Sequence, residues 1–148
     1  NSLIVGGLKV GMKVSVATPG DYQPDAQVLA FAKGYPGQFK LVSSPKEAAA
    51  GADVVFTDVW ASMGQEGEAE LRKKAFEGYQ INDALLRECA PDVMVQHCLP
   101  AHRGEEITAE VFEAHANEIF DEAENRLHAQ KAVLAKTMAK DFQKEPSV

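Results

Sequence analysis

Three groups of residues in this chain have the types and spacing to do chemistry. His97-Cys98 sets an imidazole and a thiol at the end of the apolar run Val93-Met94-Val95-Gln96, just before the break Leu99-Pro100. Asp58 closes a second apolar run, Asp53 to Thr57, and is followed by Ser62-Met63-Gly64. Glu122, Glu124, Asn125 and Arg126 follow a third short segment, Glu118 to Phe120. If these segments are parallel strands, their carboxyl ends share one sheet edge, where diverging loops leave a ligand crevice. An acid, a hydroxyl, a thiol and a guanidinium converging there suit a zwitterionic amino acid beside an anion. A carboxylate holds an ammonium, the Met63 and Gly64 amides take a carboxylate, and Arg126 grips a phosphate or carbonyl bidentately.

Each residue also has a plainer reading. Asp58 can cap the turn after its strand, Ser62 can be a turn residue and Met63 a packing one. Cys98 can be a small buried hydrophobe, with His97 pointing to the opposite face of the strand. His97, Cys98 and His102 offer only two or three zinc ligands and no second pair, so no metal site is expected. Glu105-Glu106 reads as a solvated start to the following helix.

The elements that must position these groups are legible in outline. Ser2 to Val10 reads as a short helix closed by Gly11, and Asp25 caps a helix through about Lys33. Ser44-Pro45 opens another with its cap and N1 proline in the favoured places. Asn82 caps a helix running to about Cys89, and Thr108 starts the next. Lys13 to Ala17, Phe39 to Val42, Asp53 to Thr57 and the run before His97 read as strands. Glu118 to Phe120 is expected as a further short strand, followed by a helix from about Glu124 to Asp141 whose Leu127, Leu134 and Met138 share a face. This alternation predicts an α/β fold: a three-layer, Rossmann-like parallel sheet with helices on both faces. Gly6-Gly7 lies inside a helix and Gly64-x-x-Gly67 lacks the first turn glycine, so no nucleotide fingerprint is present. Residues 141–148 form a polar tail.

With 148 residues, 45 % of them hydrophobic and 25 % charged, the chain suits one domain. A net charge of −7 and a pI near 5.1 argue against nucleic-acid or anionic-membrane surfaces. No apolar run approaches the roughly 20 residues of a membrane span, so a cytoplasmic location is the default. Cys89 and Cys98 are too few for a disulfide framework and read as free thiols.

Asp58-Val59-Trp60-Ala61-Ser62-Met63-Gly64, His97-Cys98-Leu99-Pro100 with Arg103-Gly104-Glu105-Glu106, and Phe120-Asp121-Glu122-Ala123-Glu124-Asn125-Arg126 together resemble the ornithine-binding domain of ornithine carbamoyltransferases. Asn1-Ser2-Leu3, Ala17-Thr18-Pro19 and Phe76-Glu77-Gly78-Tyr79-Gln80 extend the similarity over nearly the whole chain. The resemblance implies transfer of a carbamoyl group from carbamoyl phosphate to the δ-amine of L-ornithine, giving citrulline and phosphate without metal or organic cofactor. It assigns the α-ammonium of ornithine to Asp58 and Ser62, and the α-carboxylate to the Met63 backbone. Cys98 would lie beside the attacking δ-amine without forming a covalent intermediate. The Leu99 carbonyl would hold the carbamoyl amide next to a cis Leu99-Pro100 bond, Arg126 the carbamoyl oxygen, and His97 would support the others. A carbamoyltransferase for another amine such as putrescine, or a binding-only amino-acid module, is the alternative.

The Ser-Thr-Arg-Thr and His-Pro-x-Gln segments of that family's carbamoyl-phosphate domain are absent, as is the Gly-Asp-x-x-Asn-Asn strand end. The chain therefore reads as the C-terminal part of a longer enzyme, a homotrimer or larger. The first central strand, lying between Lys13 to Ala17 and Asp53 to Thr57, is expected to be missing.

Overall fold

The computed structural model describes residues 1–61 and 66–138. Its element order begins α1 (Ser2–Lys9), β1 (Val14–Ala17), α2 (Ala26–Ala32), β2 (Phe39–Val42), α3 (Pro45–Ala49) and β3 (Val54–Thr57). A 3-10 turn, Glu66–Glu68, leads into α4 (Ala69–Ala75), then α5 (Asp83–Leu86), β4 (Met94–His97), α6 (Ala109–Ala114) and α7 (Ala116–Met138). The polar tail 141–148 lies outside the described residues.

Local chemistry starts the helices where the sequence predicts. Asp25 accepts the Gln27 amide, Ser44 that of Glu47, Asn82 that of Leu85 and Thr108 that of Val111, each satisfying an amide the first turn leaves unpaired. After α1 the chain turns at Gly11, whose φ of +84° suits glycine. Inside α1, Gly7 faces β1 so closely that an added Cβ would stand 2.9 Å from Val14 Cγ2. A side chain there would push the helix off the strand.

The α/β class and the parallel strands stand as expected, the strands forming two separate pairs. β1 pairs with β2 and β3 with β4, both in parallel, and among the described residues no ladder joins the two pairs. One core gathers Ile4, Leu8 and Ala32 around β1 and β2. The larger one packs Ala49, Ile81, Leu85, Val95, Ile107, Val111, Phe112 and Ile119 around β4. Helix α3 contacts β1, β2 and α5 and carries Ala49 into the second core, which links the two halves.

One expectation is corrected. Glu118 to Phe120 is not a strand but part of the opening turns of α7, which runs unbroken from Ala116 to Met138. No glycine or proline interrupts that span, so a three-residue strand would have to break good helix-forming sequence twice. The helix also satisfies β4 in another way. Ile119 is fully buried and Glu118 Oε2 accepts the Val95 amide at 2.8 Å, so a side chain caps the free strand edge. The expected apolar face of the last helix is exposed, with Leu127, Leu134 and Met138 each more than half accessible.

Candidate functional site

The register Val54 with Met94 through Thr57 with His97 sets the carboxyl ends of β3 and β4 side by side. Asp58 follows one strand and Cys98 the other, both exposed. The Asp58 carboxylate, the His97 ring and the Cys98 sulfur lie within 4.8 Å of one another. Asp58 also performs the plainer task, accepting the Val59 amide at 2.8 Å.

The electrostatics of this corner are acidic. Burial pushes the Cys98 thiol up to about 12, helped by the Asp58 carboxylate as acceptor and as charge and by the charge of Glu122. A thiol so placed is a neutral donor rather than a nucleophile. Glu122 projects from α7, one turn beyond Glu118. Its Oε2 is buried with no partner among the described residues, and burial with the nearby Asp58 charge raises its carboxyl above the usual range against the opposing His97 amide. Two carboxyl groups that favour an arriving cation, Asp58 and Glu122, thus stand beside a neutral thiol. The sequence placed Glu122 near this edge but gave it no role.

His97 is fully buried, as an inward-facing partner of the exposed Cys98 must be. Its ring is used at both nitrogens: Nδ1 accepts the Leu99 amide at 2.9 Å, and Nε2 lies 2.9 Å from Glu106 Oε1. Because Nδ1 accepts, the ring proton that reaches Glu106 is the one on Nε2. Both nitrogens being engaged, His97 is a poor ligand for a metal at the Asp58–Cys98 corner. Glu106 overturns its expectation, since it is a fully buried carboxylate and not a solvated helix start. The chain returns it to the core through a turn at Gly104, φ +91°, fixed by Gln80 Nε2 donating to the carbonyls of Gly104 and Glu105 at 3.0 and 2.8 Å. The Ile81 amide in turn bonds the Glu106 carbonyl at 2.8 Å. Only the three-dimensional return reveals this pairing; the nine-residue spacing from His97 carries no periodic signal.

Leu99 has φ +53° and its bond to Pro100 is cis, as expected. Ser62 and Met63 lie outside the described residues. Arg126 stands exposed on α7, one turn past Glu122, and has no hydrogen bond or ion pair with a described residue. Glu124 and Asn125 are exposed as well, Glu124 facing His128 at 3.1 Å. The structure therefore joins Asp58, His97 and Cys98, adds Glu106 and Glu122, and leaves Arg126 apart. No helix among the described residues is long and apolar enough to cross a membrane.

A family profile described as "Aspartate/ornithine carbamoyltransferase, Asp/Orn binding domain" matches residues 1–137. The ornithine carbamoyltransferase of Archaeoglobus fulgidus is 51 % identical over 141 residues, covering 95 % of this chain and 46 % of the relative. That of Symbiobacterium thermophilum is 54 % identical over 143 residues, with 94 % and 46 % covered. Among solved structures, anabolic ornithine carbamoyltransferase from Campylobacter jejuni superposes with a TM-score of 0.85 at 38 % identity, covering 90 % of this chain and 46 % of that one. The Pyrococcus furiosus enzyme gives 0.80 at 51 % identity, with 90 % and 44 % covered. The chain spans about half the length of the relatives it matches. Fold, strand-end chemistry and sequence agree that this chain belongs to the aspartate/ornithine carbamoyltransferase family, as its amino-acid-binding domain.

Proposed function

We propose that this domain supplies the amino-acid half of a site that transfers a carbamoyl group from carbamoyl phosphate to the δ-amine of L-ornithine, yielding citrulline and phosphate. The observation that carries this reading is the meeting of Asp58 and Cys98 at the ends of paired parallel strands. Asp58 and Ser62 hold the α-ammonium and the Met63 backbone the α-carboxylate. The δ-amine must lose its proton before it attacks, and an acidic corner with a neutral thiol orients it while leaving the attack to the amine itself. The Leu99 carbonyl holds the carbamoyl amide, and Arg126 takes the carbamoyl oxygen, where negative charge develops in the transition state. From its exposed place on α7, Arg126 reaches that oxygen once the carbamoyl-phosphate half of the site is present.

That half belongs to the carbamoyl-phosphate domain of the family, with which this one assembles as a homotrimer or larger. The free thiols Cys89 and Cys98 fit a reducing, cytoplasmic setting. Calorimetric titration with L-ornithine and with putrescine, each with and without carbamoyl phosphate, and assay of citrulline, all on the protein joined to its carbamoyl-phosphate domain, test the proposal. Ornithine-dependent citrulline formation is expected. Preference for putrescine marks the transferase of another amine, and ornithine binding without turnover marks a binding-only module.

A further inference from the structure

We propose that Glu106 is a positioning residue: a buried clasp that locks the tautomer of His97 and thereby aims the Leu99 peptide in the active site. This rests on the role given above to the Leu99 carbonyl. One carboxylate oxygen, Oε1, receives both ends of the segment that carries Cys98, Leu99 and Pro100. The His97 ring meets it at 2.9 Å from one side and the His102 amide donates to it at 2.6 Å from the other. At the far side of the ring, Nδ1 accepts the Leu99 amide at 2.9 Å. The chain of bonds therefore runs from Glu106 through His97 to the amide of Leu99, the residue whose own carbonyl, one peptide further on, is assigned to the transferred group.

The energetics favour a directing role over a stabilising one. Glu106 is 0 % exposed, and its other oxygen, Oε2, has no partner among the described residues. Burying a carboxylate to satisfy two donors with one oxygen bare is a poor source of stability, and a well-packed apolar residue often does as well or better. A leucine, however, cannot tell Nδ1 from Nε2. With the carboxylate in place the Nε2–H tautomer alone leaves Nδ1 free to accept Leu99. With it gone, the Nδ1–H tautomer becomes accessible, and that proton faces the Leu99 N–H and expels it.

The test uses ring-labelled histidine in the protein, comparing wild type with Glu106→Gln, which keeps an acceptor at the same reach, and with Glu106→Leu. Nitrogen NMR of the imidazole is expected to show His97 protonated on Nε2 alone in the wild type and in Glu106→Gln, and mixed in Glu106→Leu. The Leu99 amide should lose its exchange protection in the last. In citrulline formation, Glu106→Leu should lower kcat on the order of 10- to 100-fold, with KM for ornithine changed less than about twofold, and Glu106→Gln should recover most of the loss. An Nδ1–H tautomer in the wild type overturns the proposal, even if the leucine variant does not fold. So does a folded Glu106→Leu that keeps the tautomer and kcat, or one that loses kcat with the tautomer unchanged. If the wild-type enzyme carrying both domains makes no citrulline, the transferase reading falls, whereas the tautomer measurements still decide for or against the clasp.

Discussion

Alkylation of Cys98 distinguishes a thiol that helps an amine from a thiol that attacks. The residue is exposed, so access does not limit its reaction with iodoacetamide. Its acidity does. With the thiol at about 12 in place of its ordinary 9.0, the thiolate fraction at pH 8 falls from about one in ten to about one in ten thousand. A more basic thiolate is also a better nucleophile, and a Brønsted slope of about 0.4 to 0.5 returns a factor of about 20. The net expectation is alkylation about 50-fold slower than a free cysteine at pH 8. The rate should still rise tenfold per pH unit beyond pH 9, where an ordinary thiol levels off. Asp58→Asn removes the neighbouring charge while keeping an acceptor for the Val59 amide. It should accelerate Cys98 severalfold without restoring the free rate, because burial, the largest cause, is untouched. Peptide-resolved mass spectrometry reads Cys98 apart from the half-buried Cys89. Wild-type Cys98 reacting at the free-cysteine rate, or no response to Asp58→Asn, would refute the reasoning and bring back the activated nucleophile.

The remaining predictions concern stability. Although burial alone would raise the Glu106 carboxyl, hydrogen bonds from His97 and the His102 amide hold it below its ordinary 4.5. A depressed acid contributes stability that is present above its unfolded value and lost as pH falls through its folded one, so denaturant midpoints should drop below about pH 4.5 and drop less in Glu106→Gln. Glu122 has the opposite sign: its raised carboxyl weakens the fold as pH climbs through its unfolded value, so Glu122→Gln should raise the melting temperature at pH 7. Ile119→Ala, emptying a fully buried site between α7 and β4, should cost about 2–5 kcal/mol in urea unfolding. Gly6→Ala meets nothing within 4 Å and should stabilise α1 by up to about 1 kcal/mol, whereas Gly7→Ala, driven against Val14, should destabilise the protein.

What the sequence made legible is what local rules decide. The caps at Asp25, Ser44, Asn82 and Thr108 act within three residues of themselves and fall where expected. The meeting of Asp58 and Cys98 needed one further step, that strands separated by helices run parallel, and the β3–β4 register supports it. Glu106 and Glu118 could not be read this way, because each is placed by a group far along the chain. A glutamate beside another glutamate before a helix has the composition of a solvated start; it becomes a core residue because Gln80, more than twenty residues earlier, bonds the carbonyls before it. The misplaced strand has the same origin. Phe120 and Ile119 argue for β-structure by side-chain type, but the unpaired edge of β4 needs hydrogen-bond acceptors, which the turns of a helix can supply from its side chains. Glutamates at 118 and 122, four residues apart and so on one helical face, bring carboxylates to Val95 and toward His97. The second of these is left near Asp58 and Cys98 with an oxygen that has no partner among the described residues, so the device that closes the strand edge also delivers an acid to the place proposed for the ornithine amine.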